Sequence, residues 1–275
     1  MSGLLENSIP AAPFDAIAES YDETFSESPI GRAQRTAVWT EMDRVFRPGQ
    51  RVLEMNCGTG IDAMHMASRG IRVEASDSSP AMVALARKRA AGLPGLDVRF
   101  HCRRTEDIGG AAAEGPYDGV LSNFSGLNCV SELRPVARSL GSLVRPGGKF
   151  VLCVFGRFCL WEVLWYVFSD KPEKAFRRIR RSGATSTLAP GASVTVHYWS
   201  VRSLQKIFAP YFRLERRKGV GILSPPSYAG SFAANFPGLF SLATKIDSIA
   251  GACPVVRAIA DHVVLTFERI PEARS

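Results

Sequence analysis

Arg51-Val-Leu-Glu-Met-Asn-Cys-Gly-Thr-Gly60, followed by Ile61-Asp-Ala-Met-His-Met-Ala-Ser-Arg-Gly70 and Ile71-Arg-Val-Glu-Ala-Ser-Asp77, reads as a strand, a glycine turn, a helix and a second strand. Val52, Leu53 and Met55 suit a strand buried in a parallel sheet. Gly58 and Gly60 remove side chains where backbone donors must approach a ligand at the mouth of the helix. The stretch therefore predicts a small-molecule cradle.

Gly58-Thr-Gly60-Ile-Asp-Ala63 also satisfies the dinucleotide pattern G-x-G-x-x-G/A. Charge separates the two readings. A pyrophosphate would sit on the free N–H groups of the helix start, where Asp62 already places a carboxylate. Glu54 adds a second acidic group beneath the same turn, so the expected ligand lacks phosphate and carries positive charge. Asp77 ends the second strand, where a carboxylate accepts hydrogen bonds from both ribose hydroxyls of an adenosine. Together these features point to S-adenosylmethionine (SAM).

Val52-Leu-Glu-Met-Asn-Cys-Gly-Thr-Gly60 resembles the first motif of class I SAM-dependent methyltransferases, and Ala75-Ser-Asp-Ser-Ser-Pro-Ala-Met82 resembles their second. Asn56 stands where that family usually has glycine, and asparagine can take the left-handed conformation at some cost. Phe14-Asp15 with Tyr21-Asp22 is similar to the lid helix of many small-molecule methyltransferases. Arg32-Ala-Gln-Arg-Thr-Ala-Val-Trp39 is similar to the corresponding segment of glycine N-methyltransferase, and the menaquinone and ubiquinone methyltransferase groups share the general pattern. The resemblance implies an α/β fold, a Rossmann-like doubly wound seven-stranded sheet with helical insertions forming a cap. It implies SAM as cofactor and S-adenosylhomocysteine as product, with Tyr21, Glu54, Asn56, Gly58, Gly60, Asp77, Ser78 and Asn123 around them. The cofactor's carboxylate would fall to Arg35, with Arg32 as the alternative, since a guanidinium fork suits a carboxylate. Thr105 and Glu106 lie where the family places residues around the adenine, although Arg104 stands where an aspartate is common.

The 275 residues can bury a substantial core as one elaborated domain or two. Met1 to Pro10 has neither a basic start nor a long apolar run, and the apolar region Phe150–Phe168 is interrupted by Gly156, Arg157 and Glu162. Six cysteines without C-x-x-C spacing suit a reduced, cytoplasmic compartment. The net charge of +8 is concentrated in residues 170–220, where 12 Lys or Arg face 3 acidic residues. Such a segment attracts an anionic substrate, acidic lipid or nucleic acid, or serves as a solvated face.

The pattern divides the chain into N-terminal lid helices (1–50), a SAM-binding core (51–156), a first insertion or cap (157–199), a core helix and sixth strand (200–218), a second insertion (219–260) and a seventh strand with tail (261–275). Helices are predicted over Ile30–Phe46, Pro80–Ala91, Glu132–Leu143 and Val201–Phe208, and strands over Asp97–Cys102, Tyr117–Ser122, Phe150–Phe155, Phe212–Arg217 and His262–Glu268. An aromatic helix in the first insertion either roofs an apolar pocket, packs into the core, or lies against a membrane surface. Trp161, Trp165, His197, Tyr198 and Tyr228 are the candidate pocket residues.

Methyl transfer requires alignment and exclusion of water, and a general base is optional. Of the candidate bases His65, His101, His197 and His262, His197 beside Tyr198 is the best placed because insertions carry substrate contacts, and none is assigned. No His/Cys/Asp cluster has metal-ligand spacing. The reading is a methyltransferase acting on an O, N or C atom of a small, apolar molecule. Its alternatives are a nucleic-acid methyltransferase using the basic segment and a non-catalytic SAM-binding protein. Ser122-Asn-Phe-Ser125 lacks the Asn-Pro-Pro-aromatic motif of amino-methylating nucleic-acid enzymes. The sequence leaves the oligomeric state open.

Overall fold

The computed structural model describes residues 12–113, 115–168, 174–180, 183–226 and 230–271. Parallel strands β1 (Arg51–Met55), β2 (Arg72–Asp77), β3 (Val98–Cys102), β4 (Tyr117–Ser122) and β5 (Val144–Phe155) form most of one sheet. The antiparallel pair β8 (Phe212–Val220) and β9 (His262–Arg269) completes it, with β9 antiparallel to both neighbours. The seven strands run in the order β3-β2-β1-β4-β5-β9-β8, the doubly wound arrangement expected from the sequence. The order reverses between β1 and β4, which opens a crevice at their carboxyl ends.

Alternation along the strands builds two cores. Val52, Leu121, Val151 and Cys153 face α2 (Pro29–Val45), α3 (Ile61–Ser68) and α4 (Pro80–Ala91), whose Val38, Met42, Ala63 and Val83 are buried there. Leu53, Met55, Val120 and Leu152 face the other way, onto α5 (Arg134–Leu143) and α7 (Val201–Phe208). Phe150, Phe208, Phe212 and Phe267 form an aromatic cluster with ring centroids 5.2–6.3 Å apart. Helix starts follow the expected chemistry: the Ser28, Ser79 and Ser200 side chains cap α2, α4 and α7.

The N-terminal segment is not one lid helix. A 3₁₀ turn (Pro13–Ile17), the short α1 (Ala18–Tyr21) and a π turn (Asp22–Ser26) follow one another, and they cross the carboxyl ends of β1 and β2. Asp15 accepts from the Ser79 hydroxyl and the Ala81 amide, and Asp22 accepts from Thr59 and Arg89. These two aspartates fasten the lid to the glycine turn and to the start of α4. The first insertion holds α6 (Leu160–Val167) and a hairpin of β6 (Ala184–Ala189) with β7 (Ala192–Val196), which the sequence reading did not include. The second insertion carries α8 (Gly230–Asn235) and α9 (Pro237–Ala250). Among the described residues no helix is long and apolar enough to cross a membrane.

Gly60 shows why the turn needs glycine. Its φ is +80°, and a Cβ there would lie 2.9 Å from the Ala86 Cβ and from the Phe100 ring. Gly60→Ala is expected to cost about 1–3 kcal/mol in urea unfolding through overpacking alone. A loss below a few tenths would mean that α4 and β3 yield freely.

Candidate functional site

β1 delivers Glu54 and Asn56 to the crevice, and Asn56 turns the chain at φ 58°. Gly58 follows at φ +53° with open space where a Cβ would stand, the opposite of crowded Gly60. The Gly58 amide donates to Asp77 Oδ2 at 2.9 Å, and the Ser79 amide donates to Asp77 Oδ1 at 2.9 Å. Burial pushes the Asp77 carboxyl up, against the two amides that draw it down. Asp77 thus stands at the tip of β2 with its position fixed from both sides.

Arg35 reaches the same crevice from α2. Its Nη1 lies 2.7 Å from Asp62 Oδ2, its Nη2 donates to Ser26 Oγ at 3.2 Å, and its guanidinium lies 4.7 Å from the Phe124 ring centroid. Arg32, the alternative, is exposed on the outer side of the helix. Asp62 is more than a carboxylate repelling phosphate. It also accepts from Trp39 Nε1 at 2.6 Å and from Asn123 Nδ2 at 2.8 Å, so it ties α2, α3 and the β4 loop together.

Tyr21, Arg35, Asn56, Gly58, Asp77, Ser78 and Asn123 line one cavity. Glu54 is buried beneath it, and burial together with the Asp62 charge pushes its carboxyl well above the usual range. Two polar side-chain atoms at the site, Glu54 Oε2 and Arg35 Nε, are buried with no hydrogen-bond partner. An orphan acceptor and an orphan donor within one site complement the ammonium and carboxylate of an amino-acid head, and Asp77 with open Gly58 suits a ribose. These residues fit SAM.

Thr105 and Glu106 are placed differently from the rest. Thr105 Oγ1 accepts from Asn56 Nδ2 at 2.6 Å and so supports the turn, while Glu106 lies at the surface beside Arg104, at 3.4 Å. Phe14 of the lid segment also lines the cavity, as do Met82, Phe124, Ser125 and Cys129, which the sequence did not mark as site residues. Phe124 and Ser125 have φ of 42° and 66°, non-glycine residues held in the left-handed region between two cavities.

The second cavity, of about 470 Å³, adjoins the first and shares Phe14, Tyr21, Phe124, Ser125 and Cys129 with it. Its remaining wall includes Ile17, Phe155, Leu188, Val194 and Val196, so it is mostly apolar. The first insertion reaches it through the β6–β7 hairpin and the Arg177–Ile179 turn, and the second through Pro226. The aromatic helix does not line it: Trp161 Nε1 donates to the Leu223 carbonyl at 2.8 Å, and Trp165 lies exposed on α6. His197 stacks towards Trp199, and Tyr198 packs beside Phe155 and Arg178 behind the cavity wall. Tyr228 lies outside the described residues.

His262, at the start of β9, is the candidate base that the structure brings to this wall. Its ring packs on Phe155, with centroids 4.7 Å apart, and edge-on to Phe124 at 5.9 Å. Nδ1 lies 3.2 Å from Asp261 Oδ2 but is not aligned for a full hydrogen bond. His65 stacks on Trp39 and bonds Asp43, and His101 bonds Glu74, both away from the two cavities. Among the described residues no group of three or more His, Cys, Asp or Glu could hold a metal ion.

Residues 52–148 match Methyltransf_25, a methyltransferase domain family. The chain is 30% identical over 191 residues to a demethylmenaquinone methyltransferase of Parafrankia sp. (strain EAN1pec), covering 64% of this chain and 74% of that protein. It is 30% identical over 145 residues to the enzyme of that name from Clavibacter sepedonicus, covering 53% and 57%. It is also 33% identical over 149 residues to the tRNA 5-carboxymethoxyuridine methyltransferase of Escherichia coli (strain K12), covering 52% and 56%. The match thus spans little more than half the length of several of these relatives. Among solved structures, the CcbJ methyltransferase from Streptomyces caelestis superposes with a TM-score of 0.62 at 17% identity, over 95% of this chain and 99% of that one, a likeness of fold.

Proposed function

Because this chain belongs to the class I SAM-dependent methyltransferases, we propose that it transfers a methyl group to an O, N or C atom of a small, mostly apolar molecule held in the cavity beside the cradle. The observation that carries this reading is the shared wall: Tyr21, Phe124 and Ser125 border both the cradle and the adjoining apolar cavity. When bound, SAM supplies an electrophilic methyl group on a sulfonium. The chain's own residues bind, orient and exclude water, which is most of what an in-line displacement needs. Arg35 and Glu54 would hold the amino-acid head, and Asp77 the ribose. Phe25, Phe124 and Phe155 would keep the acceptor dry.

His262 is proposed as the group that accepts the acceptor's proton where one must leave. Asp261 beside it stabilises the cationic ring that results. His262→Asn is expected to lower kcat by about 10²-fold, while SAM affinity by calorimetry stays unchanged. An unaltered kcat would leave His262 as a wall residue.

The quinone methyltransferase relatives favour an apolar acceptor, whereas the tRNA methyltransferase relative would favour nucleic acid. Pairing within the basic segment supports the first. Arg177 and Arg178 turn in to Glu162, Arg216 and Lys218 pair with Glu41, and Arg213 pairs with Glu268. Five of the segment's 12 cations are thus engaged by carboxylates of the fold. The unpaired cysteines Cys57, Cys102, Cys129, Cys153, Cys159 and Cys253 suit a reducing cytoplasm. A panel of apolar phenols, quinols, amines and bulk tRNA incubated with methyl-labelled SAM tests the reading. Label in a small apolar acceptor supports it, label in tRNA alone replaces it, and bound SAM without transfer to any acceptor revives the non-catalytic alternative.

A further inference from the structure

We propose that the outer face of α9 is a docking surface for anionic phospholipid bilayers. Leu239, Leu242, Ile246 and Ile249 are 55%, 54%, 41% and 82% exposed. At 3.6 residues per turn their positions fall within an arc of about 80°. Ala243 and Asp247, on another side of the helix, are buried against the protein. Single exposed apolar residues are ordinary, but four on one stripe make a patch. An amphipathic helix of this kind seats its apolar stripe at the headgroup boundary.

Charge identifies the occupant. Between Gly219 and Ala260 the sequence has one acidic residue, Asp247. Its carboxylate is turned inward, accepting from the Ile222, Leu223 and Ser224 amides and from the Ser224 hydroxyl. The segment thus presents no outward carboxylate, while Lys245 is exposed next to the stripe and Arg44 of α2 shares a groove with it. An apolar stripe bordered by Lys245 and by no outward carboxylate of its segment matches an anionic bilayer, for which a nearby Lys or Arg adds to attraction. A second copy of the chain fits less well, because a two-fold pairing along this stripe would bring two Lys245 side chains together without a carboxylate of the segment to offset them.

The apolar face continues beyond α9. Phe236, at its start, meets Phe232 with centroids 5.6 Å apart, and Phe232 meets Trp161 of α6 at 5.8 Å. The loop leading to α8 contributes Pro226 to the apolar cavity, so the docking face and that cavity are borders of the same insertion. The proposal does not rest on the identity of the methyl acceptor.

Sedimentation of the full chain with phosphatidylcholine vesicles, with and without about one-third phosphatidylglycerol, tests it at low and high salt. The wild type is expected to pellet with the anionic vesicles only, and less at high salt because surface charge is screened within about 8–10 Å. Leu242→Asp with Ile246→Asp should lower that partition at least about tenfold, since both apolar contacts are lost and two negative charges face the lipid. Lys245→Glu should lower it at low salt and matter little at high salt. Calorimetry with SAM on the double variant reports whether the cradle stays intact, which separates a failure of docking from a failure of the enzymatic reading. Absence of pelleting with anionic vesicles, or equal pelleting of wild type and double variant, overturns the proposal. So does a wild-type dimer that the double variant converts to monomer with no vesicle binding in either form, because the stripe would then be covered by a second copy.

Discussion

Asp77→Ala is expected to weaken SAM binding by about 10²–10⁴-fold in calorimetry, because a carboxylate accepting from two ribose hydroxyls loses two charge-assisted hydrogen bonds of about 1.5–3 kcal/mol each. The carboxylate is pre-positioned by the Gly58 and Ser79 amides, so little ordering cost offsets those bonds. The same amides lose their acceptor in the variant, and a modest drop in thermal stability should accompany the lost affinity. The wild type should also show a pH effect. Burial raises the Asp77 carboxyl above its ordinary value, so the folded protein takes up the proton at a pH where a free aspartate has already released it. Binding that needs the carboxylate as acceptor therefore weakens as pH falls through that raised value, earlier than for an exposed aspartate. Affinity unchanged by the substitution would remove Asp77 from the site.

Glu54 makes the opposite demand on pH. Its folded-state carboxyl is held well above its usual value by burial and by Asp62, so the stability it contributes is present below the unfolded value and lost as pH rises through the folded one. Glu54→Gln keeps the shape without the ionisation. The variant is expected to unfold at a higher temperature than the wild type in mildly alkaline buffer, and to bind SAM less tightly if the ammonium is its partner. Thermal unfolding without ligand and calorimetry with it read the two effects separately, and a lower melting temperature would mean that Glu54 is not strained by burial.

The sheet was legible because its strands carry strong local signals. The β1 apolar run, the glycine turn and the strand-end acid lie within 27 residues, Arg51 to Asp77, and the helix boundaries at Pro80–Ala91 and Val201–Phe208 coincide with Ser-capped starts. Asn56 in the left-handed region follows from the same turn geometry. The insertions were less legible for a physical reason. Aromatic residues at helical spacing in 160–168 suggest a roof, but spacing alone does not say whether a helix turns its rings to a cavity or to a neighbouring loop, and Trp161 is directed to Leu223. The β6–β7 hairpin did have a signal, alternating β-branched residues around Pro190-Gly191, and it supplies the cavity wall that the aromatic helix does not. His262 carried no local mark. Only the antiparallel return of β9 beside β5 brings it opposite Phe155 and towards the β4 loop.

Arg178→Ala should destabilise the fold by about 3–5 kcal/mol in urea unfolding, the range for removing one partner of a buried ion pair. Arg178 belongs to the basic segment by sequence, yet its side chain is buried and is shared between two buried acids. It donates to Glu162 Oε2 and to Asp261 Oδ1, each at 2.7 Å, and to the Gly156 and Asp261 carbonyls. Its guanidinium also lies 5.0 Å from the Phe155 ring centroid. One side chain of the first insertion thus ties α6 to the end of β5 and the start of β9. Alanine would leave Glu162 with Arg177 alone, and Asp261 with Gln34 and His262. Burial raises the Asp261 carboxyl, but the adjacent His262 ring and the Arg178 guanidinium outweigh it and hold the group far below the usual carboxylate range. A depressed folded-state value gives stability above the unfolded value of about 3.9 that is lost as pH falls towards the folded one. Removing Arg178 reduces that depression, so acid unfolding of the variant should begin at a higher pH than in the wild type. Arg178→Met combined with Glu162→Gln should recover part of the stability, since α6 then carries no buried carboxylate that has lost one of its two cations. SAM affinity should change little, because Arg178 lines the apolar cavity and not the cradle, whereas methyl transfer should fall as the wall loosens. A loss below about 1 kcal/mol, the range of an exposed pair, would show that water reaches these charges and that the cap is not pinned by Arg178.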